Sequence, residues 1–344
     1  MTFFHDLRRC GARVLAPVLA ATALLAACGG GTQQVQSFVP SRLLVLGDEN
    51  SVIADDGDGD PNTNDGFKYS LNDRVTTTTN GTGKCLLLPT FSQQIAAHYG
   101  FVFAACNPEG ALPKAFVHAE VGAQAGSSTN GLQAQASNII GGLGATDMVM
   151  VMIGTNDMIA VYEQVRDGVL TEAQGLDKVE AAGRTAATDI NAILATGARA
   201  LVLTAPDLSV SPYAAAQELV RPGAKQLLSL LASGRAGVGG FNGTLRMNIT
   251  PQDGRVWGLV VVDDTVLQMA RTPTSFLASP ASVTEAVCDS ASMPQGCLIV
   301  TGATAPAVNI ASNTHLWASD RHLGPVAHAQ IGAQALSRAV NNPF

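Results

Sequence analysis

Short runs of consecutive apolar residues alternate along the chain with segments in which apolar residues recur every three or four positions. The apolar runs predict strands at 41–46, 147–153, 200–204 and 258–263, and the periodic segments predict helices at 90–99, 171–196, 213–232, from 264 to 270 and at 325–340. Strands that are apolar on both faces and are separated by helices are typical of a parallel sheet covered on both sides. The pattern therefore predicts an α/β fold, in which functional residues lie at the carboxyl ends of the strands.

Composition supports a folded domain and excludes one class of partner. Of the 344 residues, 47% are hydrophobic and 14% are charged, which is unlike a disordered chain. The net charge is −7, and no cluster of basic residues could follow a phosphate backbone. We therefore expect a single globular domain over 41–344 and no binding of nucleic acid.

The first residues have the features of an export signal. Residues 1–27 combine a basic start with an apolar stretch over 14–27, which is too short to span a membrane comfortably. The stretch ends in the sequence LAAC, which resembles the lipobox of bacterial lipoproteins and implies lipidation of Cys28; an ordinary secretory signal is the alternative. A tether over 28–40 follows, and Gly29, by resemblance to lipoprotein sorting rules, favours the outer membrane.

Four further cysteines, Cys85, Cys106, Cys288 and Cys297, would belong to the exported chain. In an oxidising compartment they favour disulfides, and the choice that is local in sequence pairs Cys85 with Cys106 and Cys288 with Cys297. Two other pairings stay open. Since no CxxC or HxxxH spacing is present, we expect neither a metal site nor a cofactor.

Three long connections, 51–89, 106–130 and 271–315, are rich in small and polar residues. The first contains an acidic stretch, 55–66, whose oxygen atoms could bind Ca²⁺. The EF-hand spacing counted from Asp56 places Pro61 at the sixth position and Phe67 at the twelfth, where Gly and Glu are required. A solvated loop at the rim of the site is the favoured interpretation.

Two segments carry the residue types of an acyl-transfer site. Asn156 and Asp157 follow the second predicted strand, where an Asn side chain can donate a hydrogen bond to an oxyanion and an Asp can brace the turn. A simple turn is the alternative. Near the C-terminus, Asp320 precedes His322 just before the last helix, as a general base with an orienting carboxylate would. We interpret His328 mainly as a structural residue, while His118 and His315 remain possible site residues.

Together these segments resemble the SGNH/GDSL hydrolases, and in particular the longer secreted branch that includes autotransporter esterases. The resemblance extends over about residues 41–340 and rests on the segments Gly47-Asp48, Val121-Gly122-Ala123, Gly154-Thr155-Asn156-Asp157, Leu203 to Leu208, and Asp320-Arg321-His322 with His328. It implies a flavodoxin-like α/β/α sandwich and hydrolysis of lipid, short-chain or polysaccharide acetyl esters. It also implies oxyanion donors at Asn156 and Gly122, or at Gly126 in place of Gly122.

Two positions depart from the family pattern. Glu49 stands where the family has its nucleophilic Ser, and Ser319 stands where the Asp that orients the base is usual. Three interpretations of Glu49 compete: Ser51 is a displaced nucleophile, Glu49 itself attacks the ester, or the site is inactive. In the third, Glu49 occupies the oxyanion hole and pairs with His322, in a lipoprotein that binds a glycan or a partner protein.

Overall fold

Five parallel strands form the central sheet of the protein, in a computed structural model that describes residues 38–54, 66–75, 85–107, 109–235, 238–250, 256–294, 297–301 and 311–341. The strands of the chain are β1 (Arg42–Gly47), β2 (Ile53–Ala54), β3 (Phe67–Lys68), β4 (Asn72–Val75), β5 (Ala115–Val117), β6 (Asp147–Met152), β7 (Arg199–Leu203), β8 (Trp257–Val260), β9 (Ser282–Ala286), β10 (Leu298–Thr301) and β11 (His315–Trp317). The sheet order is β5-β1-β6-β7-β8, and every neighbouring pair is parallel. This is the 2-1-3-4-5 order of flavodoxin-like folds, so the predicted fold class is confirmed.

The helices are α1 (Phe91–His98), α2 (Leu132–Ser137), α3 (Thr155–Arg166), α4 (Glu172–Ala195), α5 (Pro212–Val220), α6 (Ala224–Ser233), α7 (Gly240–Asn248), α8 (Val262–Arg271), α9 (Ala311–Thr314) and α10 (Pro325–Asn341). Helix α10 contacts α1 and α8, whereas α4 contacts α2, α3, α6 and α7. These two groups flank a sheet whose strands β1 and β6 are buried almost throughout. The apolar runs form strands because only a sheet covered by helices removes both of their faces from water.

Most predicted elements agree with the structure, but one predicted helix is wrong. The segment expected to be helical over 213–232 forms α5 and α6, separated at Arg221, Pro222 and Gly223. Pro222 cannot donate a backbone hydrogen bond to continue α5, and Gly223 adopts φ +87°, which a helix does not allow. Sequence reasoning also missed the edge strand β5 and the helices α2, α3 and α7.

Two disulfides join Cys85 to Cys106 and Cys288 to Cys297, which confirms the local pairing. Smaller two-stranded pairs lie outside the central sheet: β2 with β3, β4 with β10, and β9 with β11. In the ranges that the structure describes, no helix is long and apolar enough to cross a membrane. The predicted signal, Cys28, most of the tether and the acidic stretch 55–65 lie outside these ranges.

Candidate functional site

Four segments meet at the carboxyl end of the sheet around the side chain of Glu49. Glu49 begins a short 3₁₀ helix directly after β1, and Gly122 lies in the loop after β5. Asn156 is in the first turn of α3, which follows β6, and His322 lies between β11 and α10. The structure therefore brings together four of the six residues predicted to be catalytic.

The backbone before Glu49 requires glycine. Gly47 has φ +133°, and a Cβ at this position would stand 1.8 Å from the carbonyl oxygen of Met152. The side chain of Gln135 fixes this glycine on both sides, accepting from its N–H and donating to its C=O, each at 2.8 Å. Asp48 then caps the 3₁₀ helix by accepting from the backbone N–H of Asn50 at 3.2 Å. The Glu49 side chain is thus presented by a rigid turn.

The carboxylate of Glu49 is held at both oxygens. Its Oε2 accepts from the backbone N–H of Gly122 at 3.1 Å and from Asn156 Nδ2 at 2.8 Å. Its Oε1 lies 3.7 Å from His322 Nε2, a separation suited to an ion pair and too long for a hydrogen bond. Only 4% of Glu49 is exposed, so these contacts replace its water. Glu49 therefore contacts Gly122, Asn156 and His322 at once.

The neighbouring carboxyl groups of Asp48 and Glu49 have pKa values shifted in opposite directions. Burial opposes ionisation of Glu49, but the attraction of His322 and the hydrogen bond from Asn156 outweigh it and lower the pKa of Glu49 to about 2. Burial, and after it the negative charge of Glu49, raises the pKa of Asp48 to about 7. Glu49 is therefore an anion at neutral pH, whereas Asp48 is partly protonated at that pH.

The loop that carries Gly122 is attached to the start of α3. Asn156 Nδ2 also donates to the Ala123 carbonyl at 3.2 Å, and Gln124 Nε2 donates to the Asn156 carbonyl at 3.2 Å. Both carboxylate oxygens of Asp157 accept from the Ala125 N–H, at 3.2 and 3.1 Å. Burial raises the pKa of Asp157 to about 6 against these bonds. The sequence predicts that Asp157 braces its own turn; in the structure it holds the loop that carries Gly122 through the Ala125 N–H.

Gly122 rather than Gly126 supplies the backbone donor to Glu49. Gly122 has φ +72°, a conformation that glycine adopts without strain and that turns its N–H toward the carboxylate. Gly154, which precedes α3, has φ +127°, and a Cβ there would lie 2.3 Å from the ring of Phe241. Gly122 and Gly154 thus allow the backbone conformations that bring the Gly122 N–H and the Asn156 side chain to Glu49.

The imidazole of His322 is oriented by Ser319. The Ser319 hydroxyl and His322 Nδ1 share a hydrogen bond of 2.7 Å. The sequence leaves open whether Ser319 or Asp320 faces the imidazole, and the structure places Ser319 there. The carboxylate of Asp320 pairs with both Nε and Nη2 of Arg321, at 3.0 and 3.1 Å, and it reaches the imidazole only through a 3.5 Å contact with Ser319. The guanidinium of Arg321 in turn lies over the ring of Tyr213, 5.0 Å from its centroid.

Ser51 lies near the site in sequence, but its hydroxyl forms no described hydrogen bond with the imidazole of His322. The residue is 1% exposed, and its hydroxyl has no hydrogen-bond partner in the described part of the chain. The two nitrogens of His322 face Ser319 and Glu49 instead. The structure thus gives Ser51 none of the hydrogen bonding that activates a serine nucleophile.

The other histidines have different surroundings. His328 is buried and stacks on Phe91, with ring centroids 5.6 Å apart and planes tilted by 17°. His315 Nδ1 shares a hydrogen bond of 2.9 Å with the hydroxyl of Thr314. His118 is half-buried, and burial lowers its pKa, with a smaller effect from the charge of Arg42. None of these three has a described contact with Glu49 or His322 that would make it part of the site.

Sequence reasoning missed two features of the site. Gln135, which fixes Gly47, lies 88 positions further along the chain and carries no motif. Tyr69 packs against His322 with ring centroids 5.2 Å apart, and burial together with the charge of Glu49 raises its pKa. No local signal marks either residue, because both act through packing across the fold. Among the described residues, no cluster of three or more His, Cys, Asp or Glu side chains could hold a metal ion.

The carboxylate of Glu49 therefore lies between two hydrogen-bond donors and an imidazole at the carboxyl end of the sheet. One oxygen of Glu49 accepts hydrogen bonds from both donors, and the other faces the imidazole of His322. A substrate carbonyl could enter only if Glu49 moved away from both donors.

Comparisons with known proteins add little to this description. The chain matches no protein-family model and no curated protein sequence. Among solved structures, the phospholipase A1 from Streptomyces albidoflavus NA297 overlaps 87% of this chain and 98% of its own, with 14% sequence identity and a TM-score of 0.33. The fold assignment therefore rests on the strand order and registers described above.

Proposed function

We propose that this protein is an SGNH/GDSL-type hydrolase homologue whose ester-cleaving site is closed by Glu49, and that it acts as a binding protein for a glycan or a partner protein. The observation that carries the proposal is the occupation of both oxyanion donors by the Glu49 carboxylate. An oxyanion hole that holds a permanent anion cannot stabilise a second one.

The surroundings of Glu49 also argue against Glu49 as the nucleophile. A pKa of about 2 makes its carboxylate a weak nucleophile and a weak base. After attack on an ester, the tetrahedral intermediate would expel the weakly basic carboxylate in preference to the alkoxide. The attacking oxygen would also have to leave the donors that stabilise the transition state.

Ester hydrolysis is the second candidate function, and the retained machinery favours it. Two hydrogen-bond donors, Gly122 and Asn156, lie on the same carboxylate as His322, and Ser319 contacts the imidazole where the family has an Asp. Movement of Glu49 and a rearrangement of the turn that exposes Ser51 would open such a site. Its substrates would be lipid, short-chain or polysaccharide acetyl esters.

Localisation is part of the proposal. The LAAC sequence supports lipidation of Cys28 and anchoring of the chain in the bacterial cell envelope, at the outer membrane. Cys28→Ala is expected to abolish incorporation of labelled fatty acid and to move the protein out of the membrane fraction. Unchanged labelling in Cys28→Ala would contradict the anchor.

Hydrolysis of p-nitrophenyl acetate by the full-length chain tests the closed site. We expect wild type to be no faster than His322→Ala, and Glu49→Ser to gain at least about 100-fold, because the serine supplies a nucleophile and frees the hole. Glu49→Ala is the matched control that opens the hole without a nucleophile, and it should remain well below Glu49→Ser. The gain should disappear in Glu49→Ser/His322→Ala.

Two outcomes would contradict the proposal that Glu49 closes the site. Wild-type turnover that is lost in both Ser51→Ala and His322→Ala would identify an esterase with a displaced nucleophile. Turnover that survives Ser51→Ala but is lost in Glu49→Gln would identify Glu49 as the nucleophile.

A further inference from the structure

A second concave site lies between α2 and α4 and shares no lining residue with the Glu49 site. It is a groove with a volume of about 430 Å³, within the range of small-molecule sites. Ala136, Leu143 and Ala192 contribute accessible apolar surface above the buried Leu132 and Ile193, and Asp189 is the one charged residue in its lining. An apolar groove with a single carboxylate has the chemistry of a site for a cation with a hydrocarbon body.

The carboxylate of Asp189 is without a described partner. The side chain is half-buried, and burial raises its pKa. Three hydroxyls on the rim of the groove donate to carbonyls of their own helices: Ser137 to Ala134, Thr188 to Arg184 and Thr196 to Ile193. None of the described lining residues is basic. The partial loss of hydration of Asp189 is therefore not offset by the protein itself.

Helix-stabilising roles do not account for Asp189. Acidic residues favour the first turn of a helix, but α4 begins at Glu172, so Asp189 lies in the second half of the helix, where the dipole disfavours a negative charge. The positions three and four residues away hold Ala186, Thr185, Ala192 and Ile193, none of which can form an ion pair.

We propose that the groove binds a small amphipathic organic cation, an alkyl- or arylammonium whose ammonium group pairs with Asp189 and whose hydrocarbon part lies against Ala136, Leu143 and Ala192. The ammonium restores the interactions that the carboxylate loses on burial. The apolar walls then gain contact with the hydrocarbon. Binding at this groove does not depend on the state of the Glu49 site.

The proposal is tested by titrating the full-length chain with phenethylammonium chloride. Binding is monitored through the NMR signals of the Leu and Ile methyl groups. We expect saturable shifts at Leu132, Leu143 and Ile193, with 2-phenylethanol, the neutral analogue, binding about tenfold more weakly. Asp189→Asn keeps the shape of the side chain and should also weaken binding about tenfold. Asp177→Asn, the same change on the exposed face of α4, is the matched control and should leave affinity unchanged within twofold.

A second variant fills the groove without altering charge. Ala192→Phe changes an exposed lining residue and should abolish binding while the midpoint of thermal unfolding stays within a few degrees of wild type. The proposal is overturned if the alcohol binds as tightly as the ammonium, if Asp189→Asn binds like wild type, or if wild type shows no saturable shift. Glu49→Ser should bind the cation like wild type, which separates this test from that of the proposed function.

Discussion

At the scale of single residues, His322 has a neutral partner on one nitrogen and an anion near the other. Ser319 contacts Nδ1, and Glu49 faces Nε2. The sequence identified both positions as departures from the family pattern, but it did not decide between Ser319 and Asp320 as the partner of the imidazole. In the structure the carboxylate of Asp320 pairs with Arg321, whose guanidinium lies over Tyr213, and Ser319 is left to contact the imidazole.

His328 gives a residue-scale prediction about pH. Burial, and after it the positive charges of Lys68 and His322, lowers the pKa of His328 to about 3. Since the unfolded state binds this proton at an ordinary pKa near 6.5, acidification from pH 6.5 to 3 favours unfolding by about 1.4 kcal/mol per pH unit from this group. His328→Phe should remove that contribution and should be as stable as wild type at pH 7, because neither imidazole nitrogen has a described hydrogen bond.

Urea unfolding of wild type and His328→Phe between pH 7 and pH 4 checks this prediction. Their free energies of unfolding should diverge as the pH falls, with the variant more stable at the acidic end. Parallel pH profiles would contradict it.

At the scale of elements, the turn between β1 and the 3₁₀ helix determines where Glu49 points. Gly47 combines φ +133° with a close approach to the Met152 carbonyl, which places the turn against the end of β6. The sequence placed a strand end at Gly47, because an apolar run stops there. The sequence did not show the contact with β6 or the clamp by Gln135, since both depend on chain segments far apart.

Gly47→Ala should destabilise the fold by more than about 4 kcal/mol, because a side chain there meets backbone and requires a strained φ. Gly126→Ala, in the loop after β5 that carries Gly122, is the matched control. Its added Cβ meets no atom within 4 Å and its φ is not positive, so it should change stability by less than about 1 kcal/mol. Chemical unfolding of the two variants measures the difference, and equal losses would refute the role assigned to Gly47.

At the scale of the whole molecule, two disulfides constrain the connections that surround the sheet. Cys85–Cys106 closes a separation of 21 residues and Cys288–Cys297 one of 9. Loop-closure entropy predicts a loss of about 3 kcal/mol for Cys85→Ser/Cys106→Ser and about 2.5 kcal/mol for Cys288→Ser/Cys297→Ser. The first pair should lose more because it closes the longer loop, and because Cys106 Sγ also accepts a contact of 3.7 Å from Gln93 Nε2.

Thermal or urea unfolding of the two double variants under oxidising conditions tests this order. Reduction of wild type should lower its stability at least as far as the more damaging double variant does. A larger loss from the shorter loop would show that strain or local contacts, and not loop closure, dominate.

The sequence by itself determined the α/β class, the positions of four central strands and the favoured disulfide pairs, because hydrophobic periodicity and short loop closure are local properties of a chain. It also marked Glu49, Asn156 and His322 by their places at predicted strand and loop ends. The tertiary structure decided which donors reach Glu49, which side chain holds the imidazole, and that Ser51 remains buried away from the base. These depend on distances between segments up to 273 residues apart, such as Asn50 and Leu323, and such distances are set only when the sheet and its loops pack together.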